Sequence, residues 1–160
     1  FSFSVLLAAL GRYLSDGGDV FAHAAALAAE LTPPQDTHGA AVAAHHQVGG
    51  ARSEALAGFP TSRKAAALLQ THDPLTVLLW LMAHTEDTNL YHRGGAEGAA
   101  FVKAQAAAIL AAPPKQRTAL TQALDDALID RWLSPGGCAD LLALALFLNN
   151  FFTAFHFFGK

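Results

Sequence analysis

Apolar residues recur along the chain at helical spacing, and clusters of Gly, Pro and Asp cut that pattern into segments. The pattern predicts a first helix over Ser2–Leu14, ended by Asp16-Gly17-Gly18. Asp19 then caps a second, Val20–Leu31, which Pro33-Pro34 stops. A third covers Thr37–Gln47, and the turn Gly49–Glu54 leads into a short helix closed by Gly58-Phe59-Pro60. Ser62 is placed to cap Arg63–His72, and Asp73-Pro74 opens the next helix with a cap residue and a first-turn proline. Ala96–Ala112 ends at Pro113-Pro114, and Lys115–Trp132 follows with Leu120, Leu124, Leu128 and Trp132 as its apolar stripe. Ser134-Pro135-Gly136-Gly137 starts a last helix, apolar on every face and therefore expected to be central. No alternating strand pattern of useful length occurs. The Gly-Gly pairs at Gly17, Gly49, Gly94 and Gly136 are unequally spaced, so they punctuate helices and do not mark a repeat. The expected fold is all-α: one domain over residues 1–160, a multi-helix orthogonal bundle with a buried central C-terminal helix.

The pattern changes character at Leu78–Gly95, LLWLMAHTEDTNLYHRGG, which begins apolar and ends in a dense polar cluster. If the helix runs through, at about 100° per residue Glu86 and Arg93 fall nearly in line with Leu79 and Met82. Asn89 then stands roughly 60° away, and Asp87 about a quarter turn off. Such a stripe delivers polar groups from a core into a cleft, and Gly94-Gly95 stops or bends the helix. An internal Glu86–Arg93 pair is the plainer alternative.

Composition adds one constraint. Apolar residues make up 52% and charged ones 14% of the chain, against about a quarter charged in ordinary domains. Part of the surface is therefore expected to be covered, by further chain or by another protein. The net charge of −3 leaves no broad footprint for nucleic acid. The single cysteine, Cys138, excludes an internal disulfide and suits a reducing, cytoplasmic setting. Leu141–Phe158 is long and apolar enough to raise a membrane span, but Asn149, Asn150 and His156 interrupt it and no basic cluster follows. A buried helix is the reading adopted. His23 reads as an interfacial histidine, and the adjacent His45 and His46 do not chelate one metal easily.

Elsewhere, chemistry is suggested at three places. Backbone amides at Gly49-Gly50 can hold phosphate oxygens, with Arg52 forking onto them; an Arg52–Glu54 surface pair is the alternative. Ser134, Gly136 and Gly137 open a helix N-terminus that can receive an anion. Asp140, one turn into an apolar run, is expected to be buried against a partner: an arginine, a metal or a ribose. Asp125, Asp126 and Asp130 read as a solvated face.

TEDTNLYHRGG, Thr85 to Gly95, resembles the signature of the triphosphoribosyl-dephospho-CoA synthase family. Those enzymes make the prosthetic-group precursor for the acyl carrier proteins of citrate lyase and malonate decarboxylase. LSPGGCADLLALALFL, Leu133 to Leu148, resembles the same family's C-terminal motif. Thr37-His38-Gly39 with GGARSEALAGFP from Gly49 forms a third, weaker block, with His46-Gln47 where the family tends to carry an aromatic. The resemblance covers nearly the whole chain but only the later half of the family's usual length. The chain starts at Phe1, as a trimmed, processed or partial sequence would, and is expected to be weakly active or inactive alone.

The resemblance implies attack of the 2′-hydroxyl of 3′-dephospho-CoA on C1′ of the ATP ribose, with adenine leaving and an oxocarbenium-like transition state. It implies carboxylates from Glu86 and Asp87, one for Mg²⁺ and one as base or cation stabiliser. Asn89 is implied to hold a ribose hydroxyl, and Arg93 with Gly94-Gly95 the triphosphate. Arg52 and the cradle of Ser134, Gly136 and Gly137 would hold further phosphate, and Asp140 a metal or the ribose. His84 and His92 flank the cluster, and either can move a proton. The implied partners are ATP and 3′-dephospho-CoA, possible further copies of the chain, no nucleic acid and no membrane. Two rival classes stand beside this one. A non-enzymatic helical interaction domain would explain the low charge and the Phe-rich end, Phe147–Phe158; a helical ribosyl-bond hydrolase would also use the acidic cluster.

Overall fold

Asp19 and Asp73 cap as their positions predict. Asp19 Oδ1 accepts from the Phe21 and Ala22 N–H groups at 2.6 and 3.1 Å. Asp73 Oδ1 accepts from Leu75 and Thr76 at 3.0 and 3.1 Å. Each satisfies orphan donors of a first turn. The structure is a computed structural model describing residues 1–31 and 49–158. Thr37–Gln47, with the block Thr37-His38-Gly39, lies outside the described residues.

The described residues form eight helices and no strand, so the fold is all-α. They are α1 (Ser2–Asp16), α2 (Val20–Glu30), α3 (Ala51–Leu56), α4 (Pro60–Leu68), α5 (Pro74–His84), α6 (Thr88–Ala111), α7 (Pro114–Asp130) and α8 (Gly136–Phe158). One cluster of buried side chains joins α5, α6 and α7 through Leu81, Val102, Ile109 and Leu124. A second joins α1 and α2 to Phe59 through Leu6, Leu10 and Ala24. Helix α8 belongs to both: Cys138 and Ala145 enter the first, Leu144 and Leu148 the second. That is its centrality, and it is not enclosed. Only 22% of the window Gly136–Thr153 is buried, although that stretch is long and apolar enough to cross a membrane by length and composition alone.

Three local expectations change. Ser62 does not cap its helix; Pro60, with φ already helical, starts α4 earlier. Glu54 Oε1 supplies the acceptor across the tight turn, taking the Thr61 and Ser62 N–H groups at 2.7 and 3.1 Å. In α7, Leu124 and Leu128 are buried, but Leu120 is 39% and Trp132 80% exposed. The reason is a Schellman ending: Leu133 N–H returns to Leu128 O and Trp132 N–H to Ile129 O, with Trp132 left-handed at φ 56°. Leu133, not Trp132, is turned into the core.

The third change is at the pivotal stretch. Helix α5 ends at His84, and Thr85 is extended at φ −115°, ψ 158°. The Thr85 hydroxyl donates back to Leu81 O at 2.7 Å, and Asp87 caps a new helix. The alignment of Glu86 and Arg93 with Leu79 and Met82 therefore does not occur. The bend expected at Gly94-Gly95 does, at Gly95, with φ 61° and ψ −164° inside α6.

Candidate functional site

Helices α6 and α8 begin side by side, and one carboxylate serves both. Asp87 Oδ1 accepts from Asn89 and Leu90 N–H at 2.8 and 3.4 Å, while Oδ2 accepts from Cys138 N–H at 2.8 Å. Asp87 is 4% exposed. Both positive helix ends thus converge on one buried anion. The closeness requires glycine: a Cβ on Gly137 would stand 3.0 Å from Asp87 Cγ and Oδ1, and one on Gly136 2.8 Å from Asn89 Nδ2. Leu133 is accommodated in the same way, its Cδ2 lying 2.4 Å from where Gly94 and 3.0 Å from where Gly98 would carry a Cβ. Cys138 completes the junction. Its Sγ lies 3.3 Å from the Thr85 hydroxyl, and burial pushes its thiol up to about 12, which keeps it protonated and unreactive.

Beside this junction lies a cleft of ≈ 320 Å³. Its walls include Gly49, Gly50 and Glu54 before and in α3, His84 to Glu86 after α5, Asn89 in α6, and Gly137 and Asp140 in α8. Among the described residues the lining holds three carboxylates, Glu54, Glu86 and Asp140, and no lysine or arginine. Glu86 Oε1 accepts from Lys103 Nζ at 2.6 Å and Oε2 from the Tyr91 hydroxyl at 2.7 Å. These two hydrogen bonds, Lys103 first, hold the Glu86 carboxyl below its ordinary range.

The structure brings Glu86, Asn89, Gly137 and Asp140 to one cleft, with Gly136 against Asn89 and Asp87 behind the wall. Asp140 is exposed there, where burial against a partner was expected, because its side of α8 faces the opening. Ser134 does not cap α8; Pro135 O accepts the first turn's bond and Asp87 supplies the side-chain cap. Ser134 lines a separate, mostly apolar groove of ≈ 310 Å³ with Leu78, Met82 and Leu128. Arg52 donates to Leu31 O at 2.7 Å and pairs with no carboxylate among the described residues, so it ties α3 to the end of α2. Arg93, Gly94 and Gly95 are not cleft-lining; Arg93 is exposed, and the internal Glu86–Arg93 pair is absent among the described residues. Of the two histidines, His84 lines the cleft and His92 does not. His84 Nδ1 is bonded to Trp80 O at 2.8 Å and its ring stacks on Trp80.

Sequence reasoning missed Lys103 and Tyr91, which lie on opposite sides of the Gly95 bend, and the capping role of Glu54. Nothing in spacing announces the first pair, because only the bend brings them together. A Glu seven residues before a Thr-Ser helix start is a readable signal for the last. Among the described residues no three His, Cys, Asp or Glu side chains gather as a metal site. Asp87 does not fit an ion, its oxygens being taken by backbone donors in a closed setting. Asp140 fits the single carboxylate contact that a nucleotide-borne Mg²⁺ often takes from protein.

Fold and cleft define an all-helical protein with an acidic, hydrogen-bonding pocket beside paired helix N-termini. The chain belongs to the CitG family, ATP:dephospho-CoA triphosphoribosyl transferase, which it matches over residues 5–156. It is 37% identical over 175 residues to the "probable 2-(5''-triphosphoribosyl)-3'-dephosphocoenzyme-A synthase" of Albidiferax ferrireducens, covering 94% of this chain and 58% of that protein. It is 38% identical over 182 residues to a probable synthase of the same name, numbered 1, of Salmonella typhimurium, covering 94% and 59%. A Pectobacterium carotovorum relative is 46% identical over 116 residues, covering 66% and 38%. The chain therefore spans less than two thirds of the length of these relatives. No solved structure matches it.

Proposed function

We propose that this chain serves triphosphoribosyl-dephospho-CoA synthesis: transfer of the 5-triphosphoribosyl group of ATP to the 2′-hydroxyl of 3′-dephospho-CoA. The observation that carries the reading is the cleft in which Glu86, Asn89 and Asp140 meet the start of α8, in a chain of this family. In the reaction the 2′-oxygen forms a bond to C1′ as the C1′–N9 bond breaks. Adenine leaves with the electron pair and gains a proton, and the hydroxyl proton passes to a base. Positive charge develops at the sugar, and a carboxylate-lined wall suits it. Asn89 has the donors and acceptor to hold a ribose hydroxyl. His84, on the wall, is the proton carrier we assign.

The triphosphate is the harder ligand for these walls. The N–H groups of Gly136 and Gly137 at the start of α8 favour it, and exposed Arg93, one turn beyond Asn89, is within the same helix face. Mg²⁺ accompanying ATP would be held by Asp140 and would supply positive charge at the phosphates. The product would be the prosthetic-group precursor for an acyl carrier protein. A free, protonated Cys138 agrees with a reducing, cytoplasmic setting. The exposed apolar residues Phe3, Leu7 and Leu14 of α1 support cover by the rest of the family's length or by another copy.

The test is release of adenine from ATP, with and without 3′-dephospho-CoA, by the chain alone and with the remaining length of a relative supplied. Adenine that requires dephospho-CoA supports transfer. Adenine from ATP alone supports a hydrolase. None in any mixture favours an interaction domain.

A further inference from the structure

Lys103 and Tyr91 meet on one carboxylate although they belong to one helix and are twelve residues apart. In a straight helix they would stand about 18 Å apart along the axis and roughly 120° apart around it. No single carboxylate reaches both across that span. They converge because α6 bends at Gly95, whose φ of 61° is left-handed. Tyr91 lies before the bend and Lys103 after it, and Glu86, from the loop ahead of α6, closes the gap. Nothing occupies the space within 4 Å of a Cβ at Gly95, so glycine is required there for backbone conformation and not for room.

We propose that Lys103 and Tyr91 are positioning residues, brought together by the Gly95 bend, that hold the Glu86 carboxylate in one fixed orientation on the cleft wall. The inference rests on the transfer reading for its catalytic meaning, but the triad itself does not. Both Glu86 oxygens receive a charged or phenolic donor, so the side chain has a set rotamer and each oxygen keeps a lone pair for the cleft. Such a group stabilises positive charge at a sugar without moving. Its lowered proton affinity makes it a poor acceptor for the hydroxyl proton, which leaves that task to a different group. Among the described residues the other titratable groups of the cleft are His84, Glu54 and Asp140, with Asp87 next in the chain; none of them is bonded to Glu86 as Lys103 is.

The test follows the Glu86 carboxyl by NMR in glutamate-labelled protein, its signal identified by loss in Glu86→Gln. Lys103→Met and Tyr91→Phe should each raise its titration toward the ordinary value, and Lys103→Arg should restore most of the shift. Gly95→Ala should raise it too, although no side chain of the triad is altered. In the turnover assay, Lys103→Met should lower kcat about ten- to a hundredfold, as loss of orienting partners does elsewhere. The KM for ATP should change little, and the acid limb of the pH profile should move to higher pH. An unchanged Glu86 titration in both Lys103→Met and Tyr91→Phe overturns the proposal. So does a Lys103→Met enzyme with wild-type kcat and pH profile. If no variant or parent releases adenine in response to dephospho-CoA, the function reading fails, and the titration still decides whether the triad exists.

Discussion

At Asp87 two helix N-termini close on a carboxylate that is 4% exposed and takes three backbone N–H groups. One residue earlier, Glu86 has a side chain 40% exposed on a cleft, held by a lysine and a phenol. Two adjacent acids thus carry different burdens. The buried one determines where α6 and α8 start relative to each other; the open one presents charge to whatever enters. Chemistry needs the second arrangement, but the second exists only because the first positions the wall. Removing a buried acceptor exposes unpaired donors to a medium without water, whereas removing an exposed partner lets solvent substitute.

The largest expected effect tests the buried side. Asp87→Ala should destabilise the fold by about 3 kcal/mol or more, since three N–H groups lose their acceptor. Urea unfolding measures it, and a loss below about 1 kcal/mol would mean that the junction is not held as described. Next, Gly137→Ala should cost about 1–2 kcal/mol: overpacking against the pinned carboxylate outweighs the gain in helix propensity. Gly136→Ala meets only the exposed Asn89 amide, so it should cost less stability and should disturb turnover more. Asp87→Asn keeps one acceptor and should cost about 1–2 kcal/mol. Because Asp87 is sealed from the cleft, its turnover should fall only through the scaffold, with the Mg²⁺ requirement unchanged.

The open side should respond to pH. The Glu86 carboxyl is depressed from its ordinary value of 4.5, so its stabilising contribution is present above that value and is lost as pH falls below it. Exposure reduces it to about 0.5 kcal/mol. Comparing thermal unfolding of the parent and Glu86→Gln at pH 7 and pH 3 checks this, and the difference should vanish at the lower pH. The smallest effect is expected at Arg93. Arg93→Ala should leave stability within about 0.5 kcal/mol while raising the ATP concentration needed for turnover. Unchanged ATP dependence would remove its phosphate role.

Much of the fold was legible from residues alone. Asp19, Asp73 and Pro74 act locally, through a side chain and a backbone a few residues apart, so their effects can be read from spacing. The Ala-rich, β-branch-poor composition fixes helix for the same reason, since propensity is a property of each residue and its near neighbours. The cleft was partly legible: the segments Thr85–Gly95 and Leu133–Leu148 were singled out, and they do meet. Their internal geometry was not. A continuous helix through Thr85 would have aligned Glu86 with Arg93, but the Thr85 back-bond and the Asp87 cap break it. Ser134 had every local mark of a cap, yet the side-chain acceptor at the start of α8 is Asp87, a carboxylate from a distant segment bonded to the Cys138 N–H. Whether an acid becomes a clamp or an open charge depends on solvent exclusion and on donors remote in sequence. Those arise only when the helices pack, and for that reason Asp87 and Glu86, indistinguishable in the chain, part company in the fold.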